Sequence, residues 1–120
     1  MRDLYWIGSS KKDLLSFPDD AIDGIGHAPN LVQQGRSPDN AKALKGFGGG
    51  GVQELVEAED GNAFRAVYTM QLKHGVYVLH CFQKKSVRGI RTPQPDIDVI
   101  KARLQRAREI DAEKDREAAN

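Results

Sequence analysis

The chain has little cysteine, few aromatics, no long apolar run and almost no net charge. Its single cysteine, Cys81, cannot form an internal disulfide, and its place inside an apolar segment predicts a buried thiol in a reducing cytosol. No hydrophobic stretch approaches the roughly 20 residues needed to cross a bilayer, and the opening "MRDLYWIGSS" has no secretory apolar core. A cytoplasmic protein without membrane contact is the expectation. The three histidines, His27, His74 and His80, are scattered without metal-site spacing or a nearby carboxylate cluster, and no G-x-S-x-G elbow occurs. Neither a metal, another cofactor nor a serine triad is therefore expected. The 120 residues include 18 basic and 17 acidic side chains, so net charge does not identify a partner. With 39% apolar and 29% charged residues, the composition fits one soluble globular domain and excludes wholesale disorder.

The distribution of charge says more than its sum. Between Gly61 and Pro95 lie Arg65, Lys73, Lys84, Lys85, Arg88 and Arg91, together with His74 and His80, and no Asp or Glu. A positive field confined to part of a near-neutral chain suits a site for a polyanion such as nucleic acid.

The pattern predicts an α+β fold. "DLYWIG" is β-prone and short, a plausible edge strand. Ser9 or Ser10 can cap a short helix that Pro18 stops. Asp19 and Asp20 then suit a second helix start, with Ile22, Ile25, Ala28 and Val32 at helical spacing, so an N-terminal helical hairpin is expected. Pro29 conflicts with that helix at a cost of about 3 kcal/mol, and requires either a kink or two shorter pieces. "RSPDNAKALKGFGGGG" reads as a loop, with Lys42 and Lys45 able to reach a ligand. It is no P-loop, because no Gly-Lys-Ser/Thr follows. Val52–Ala58, Phe64–Leu72 and Val76–Lys84, separated by short glycine turns, predict an antiparallel meander, its third strand covered on both faces. Thr92 and Pro93 open a C-terminal helix with Ile97, Ile100, Leu104 and Ala107 on one side. The expected domain is 1–110, followed by a polar, fraying tail, 111–120.

Strict alternation along the third strand would put Val76, Val78, His80, Phe82 and Lys84 on one face and Tyr77, Leu79, Cys81, Gln83 and Lys85 on the other. Arg65 stands in the middle of an apolar strand, where an unpartnered charge would be costly. Its partner is either a phosphate, held bidentately, or an internal carboxylate, Glu54 or Glu57.

The runs "FRAVYTM", "VYVLHCFQKKS" and "TPQPDIDVIKARL", with "LKGFGGGGVQEL" ahead of them, resemble the RelE/ParE toxin superfamily, in particular its phage-derived, HigB-like branch. The resemblance extends from about Leu14 to Leu104. It implies helices packed on an antiparallel sheet, and the toxin of a type II toxin–antitoxin system. Such toxins are metal-independent endoribonucleases that cut mRNA, often on the ribosome, and are silenced by a helix-turn-helix antitoxin. The RNA 2′-hydroxyl attacks its own adjacent phosphate while the protein supplies proton transfer and cations. By resemblance Arg65 would grip the scissile phosphate, Lys84 and Lys85 would complete the catalytic site, and Lys45, Lys73, Arg88 and Arg91 would hold RNA. No aromatic residue follows Phe82 and no acid precedes Asp96 in this region, so the general base is open between Lys84, Lys85 and His80. The same superfamily contains ParE-like inhibitors of DNA gyrase, and a phage-derived domain that only binds a partner is a further alternative.

Overall fold

The computed structural model describes residues 2–48, 51–59, 61–84 and 92–119. Its elements are β1 (Leu4–Trp6), α1 (Ser10–Leu15), α2 (Asp19–Gly26), α3 (Ala28–Gln33), β2 (Ala41–Ala43), β3 (Val52–Glu59), β4 (Asn62–Thr69), β5 (Val76–Lys84) and α4 (Gln94–Ala119). The strands form one sheet in the order β1-β5-β4-β3-β2. The expected α+β architecture and the β3–β4–β5 meander are present. The sheet is mixed rather than wholly antiparallel, because β1 pairs in parallel with β5, Tyr5 beside Tyr77. β2, in a segment whose composition reads as a loop, pairs antiparallel with β3; burial of the following Leu44 accompanies this pairing.

Pro29 divides the second helical segment into two pieces, α2 and α3. It occupies the first turn of α3, where a missing N–H leaves nothing unsatisfied and the fixed φ suits a helix start. The three N-terminal helices bury Leu14, Phe17, Ala21, Ile25, Ala28 and Val32 against Leu55, Phe64, Ala66, Tyr68, Val76, Val78 and Cys81 on one face of the sheet. On the other face Ile100, Leu104 and Ala107 of α4 meet Ile7, Tyr77, Leu79 and Phe82, and Leu44, Val52 and Val67 complete the layer. Each fully buried side chain such as Ile25, Leu79 or Ile100 contributes about 1.5–3 kcal/mol. Burial of Cys81 in the first layer pushes its thiol up to about 12.

The connection from β4 to β5 is fixed from two directions. The Arg2 guanidinium donates to the carbonyls of Met70, Leu72 and Gly75. On the other side Asp111 of α4 accepts from the Lys73 N–H at 3.0 Å, the His74 N–H at 2.8 Å and the Tyr77 hydroxyl at 3.0 Å. Gly75 must be glycine because a Cβ there would lie 2.6 Å from the Asp3 carbonyl oxygen and 2.7 Å from the Tyr5 ring. The helix runs on past Ile110 to Ala119, and Asp111 is only 8% exposed. Among the described residues no helix is long and apolar enough to cross a membrane.

Burial opposes the charge of Asp111, but the His74 and Lys73 N–H groups and the Tyr77 hydroxyl hold its carboxyl below the usual carboxylate range. A folded value below the unfolded value of about 4 means that the stabilisation is present above about pH 4 and is lost as the pH falls through the folded value. Asp111→Ala leaves two backbone donors unpaired and is expected to cost about 2–4 kcal/mol in chemical denaturation at pH 7. The variant should also lose the acid-side part of the wild-type stability profile that this carboxyl contributes.

Candidate functional site

Pairing between β4 and β5 slips by one residue: Val67 lies opposite His80, whereas Tyr68 lies opposite Val78, so Leu79 is an extra residue on β5. Such a bulge interrupts alternation. Val76 and Val78 face the N-terminal helices and Tyr77 and Leu79 face α4; beyond the bulge Cys81 joins the first group and Phe82 the second. Strict alternation, which pairs Phe82 and Lys84 with Val76 and Val78, therefore fails at Leu79. The two ends of β5 follow opposite parities.

The consequence is a charged cluster on the α4 side of the sheet. Arg65, opposite Phe82, is 5% exposed and donates through Nη1 to Glu54 Oε2 at 2.8 Å; Glu54 is 4% exposed. Of the two partners left open for Arg65, the structure thus provides the internal carboxylate. The buried Arg65 Nε has no hydrogen-bond partner among the described residues. Lys42 lies directly across from Glu54 on β2, its exposed ammonium 3.6 Å from Glu54 Oε1. Lys84 closes β5 opposite Ala63. Partial burial, followed by the neighbouring Arg65 and Lys42 cations, pushes its ammonium below the ordinary lysine value, against the opposing pull of Glu54. Lys42, Arg65 and Lys84 thus gather around the Glu54 carboxylate on one face of the sheet.

His80 stacks on Phe82, ring centroids 4.8 Å apart. Its Nε2 lies 2.8 Å from Asp96 Oδ1, and Arg103 Nη1 lies 3.4 Å from its Nδ1. A guanidinium only donates, so Nδ1 accepts and the Nε2–H donates to Asp96. Arg103 also donates to the Leu79 carbonyl and to Ser9 Oγ, both at 3.0 Å. Both ring nitrogens are engaged by α4, and the histidine fixes that helix over the bulge.

Arg65 and Lys84 share this cluster. Lys73 lies beyond the opposite end of β5, a strand about 26 Å long by rise, and its ammonium is held 2.6 Å from Asp115. Lys45 is exposed in the turn after β2. Lys85, Arg88 and Arg91 lie outside the described residues. Lys42 is the cation whose place in the cluster sequence reasoning missed; its register opposite Glu54 would have been the signal, had β2 been legible as a strand. Among the described residues no group of three or more His, Cys, Asp or Glu is arranged to hold a metal ion.

The family model described as Phage derived protein Gp49-like (DUF891) matches residues 12–105. Comparisons with curated proteins and with solved structures gave no significant match.

Removing one member of the buried Glu54–Arg65 pair leaves the other charge uncompensated. Glu54→Leu and Arg65→Met are each expected to cost about 3–5 kcal/mol, while the double replacement Glu54→Leu/Arg65→Met recovers most of the loss. Chemical denaturation of the four proteins forms the double-mutant cycle that measures the coupling.

Proposed function

Because the chain belongs to the phage-derived Gp49-like family, a RelE/toxin-like family, we propose that it is a HigB-like toxin of a type II toxin–antitoxin system and cleaves mRNA. The observation that carries the reading is the gathering of Lys84, Arg65 and Lys42 on one face of the sheet, where partial burial and the Arg65 cation push the Lys84 ammonium down. In the proposed reaction the RNA 2′-oxygen bonds to the adjacent phosphorus as the bond from phosphorus to the 5′-oxygen breaks. The leaving 5′-oxygen takes a proton from water, and the products are a 2′,3′-cyclic phosphate and a 5′-hydroxyl. A lysine with a lowered pKa is suited to accept the 2′-hydroxyl proton. Lys42 and Arg65 stabilise the charge that accumulates on the phosphorane. Arg65, fixed by Glu54, does so without reorganising. His80, with both nitrogens engaged, is a positioning residue here rather than the base.

Lys85 extends the catalytic site in this reading, and Lys45, Arg88 and Arg91 hold flanking phosphates. Lys73, already bound to Asp115 and remote from Lys84, is a weaker candidate for that role. The proposed partners are mRNA on the ribosome and a helix-turn-helix antitoxin, in the cytoplasm.

A second reading has an observation of its own. Glu54 already neutralises Arg65, as expected if the strand arginine is structural and the protein acts by binding, as a ParE-like gyrase inhibitor or a non-catalytic phage-derived domain. Induction in a bacterium followed by mapping of mRNA 5′ ends separates the two. The ribonuclease reading predicts new 5′ ends during growth arrest and about a 10²-fold or greater loss of cleavage in Lys84→Ala, with the fold retained. Growth arrest with intact transcripts would establish the binding reading instead.

A further inference from the structure

α4 runs antiparallel to β5, with Asp96 at the level of His80 and Asp111 at the level of Tyr77. One flank of the helix faces β1: Asp96 and Arg103 reach His80 and Ser9, and the Lys114 ammonium lies 4.5 Å over the Tyr5 ring. With about 3.6 residues per turn, Lys101 and Arg108 fall on the opposite flank, stacked about 10 Å apart along the axis. In the order β1-β5-β4-β3-β2 that flank looks across β4 and β3 toward Lys42.

Both Lys101 and Arg108 are exposed, and among the described residues neither has an ion-pair partner. The nearby acids are otherwise engaged. Asp98 accepts from Gln94, and Asp115 holds Lys73. Arg106, on the outer face of the same helix, is by contrast paired with Glu109 and Glu113. The exposed large hydrophobic side chain, Leu15, belongs to α1 on the other side of the sheet. A surface that, among the described residues, offers unpaired cations and no exposed large apolar side chain suits a polyanion better than a protein hot spot.

We propose that Lys101 and Arg108 bind phosphates of a single-stranded RNA that continues from the Lys84 end of β5 along the flank of α4. This rests on the ribonuclease reading for the identity of the ligand, but the two are separable by experiment. The probe is a single-stranded RNA dodecamer made uncleavable by 2′-O-methylation, with binding followed by fluorescence anisotropy across a salt series. Lys101→Ala/Arg108→Ala should weaken binding about tenfold and lower the salt slope by about 1.4, the loss of two phosphate contacts on a single strand. Lys11→Ala/Lys12→Ala, on α1, should bind as wild type. Circular dichroism melts establish that both variants are folded.

Unchanged affinity and salt slope in the α4 double variant would overturn the proposal, even if wild type cleaves mRNA. Failure of wild type to bind the dodecamer would also overturn it, as would competition by polyglutamate as effective per charge as that by RNA. A tenfold loss in the α4 variant, in a protein that never cleaves transcripts, would sustain the RNA path and remove the ribonuclease reading alone.

Discussion

The extra residue at Leu79 determines which side chains share a surface. With unbroken alternation Lys84 would face the N-terminal helices, on the opposite side of the sheet from Arg65 and Glu54. The bulge instead lets the first half of β5 supply Tyr77 and Leu79 to the α4 layer and lets the second half supply Phe82 and Lys84 to that same layer. Bulges commonly re-aim side chains beside functional sites. Here the bulge is secured by Arg103, which donates to the Leu79 carbonyl itself.

Helix α4 is consequently more than a cover for the sheet. Near its start it holds His80 through Asp96; in its middle it fixes the bulge through Arg103; further along it holds the β4–β5 connection through Asp111. These polar contacts flank the apolar stripe of Ile100, Leu104 and Ala107. Burial supplies the attraction between helix and sheet, and the directional hydrogen bonds set the register at which they meet.

Local signals were sufficient for much of this architecture. The Asp-Gly turn and the apolar runs located β3, β4 and β5, and the spacing of Ile100, Leu104 and Ala107 identified the buried side of α4. Pro29 marked a true boundary, although only tertiary packing could decide between a kink and two helices. Three features depended on partners distant in the chain. β2 is a strand because β3 pairs with it, not because Ala-Lys-Ala favours one. Asp111 sits in a stretch that reads as solvated, and its burial follows from the position of a turn almost forty residues earlier. The bulge leaves no trace in an apolar run that would tolerate either parity. The charged cluster was therefore legible only as a set of residue types, Arg65 and Lys84 among them, while its cross-strand member Lys42 and the pairing of Arg65 with Glu54 follow from strand register.

The clamped ring of His80 has an implication for ligand access. An imidazole that donates from Nε2 to Asp96 and accepts at Nδ1 from Arg103 has no lone pair or hydrogen left for a substrate. A ligand could reach this ring only after α4 had given up the contact of Asp96 or of Arg103.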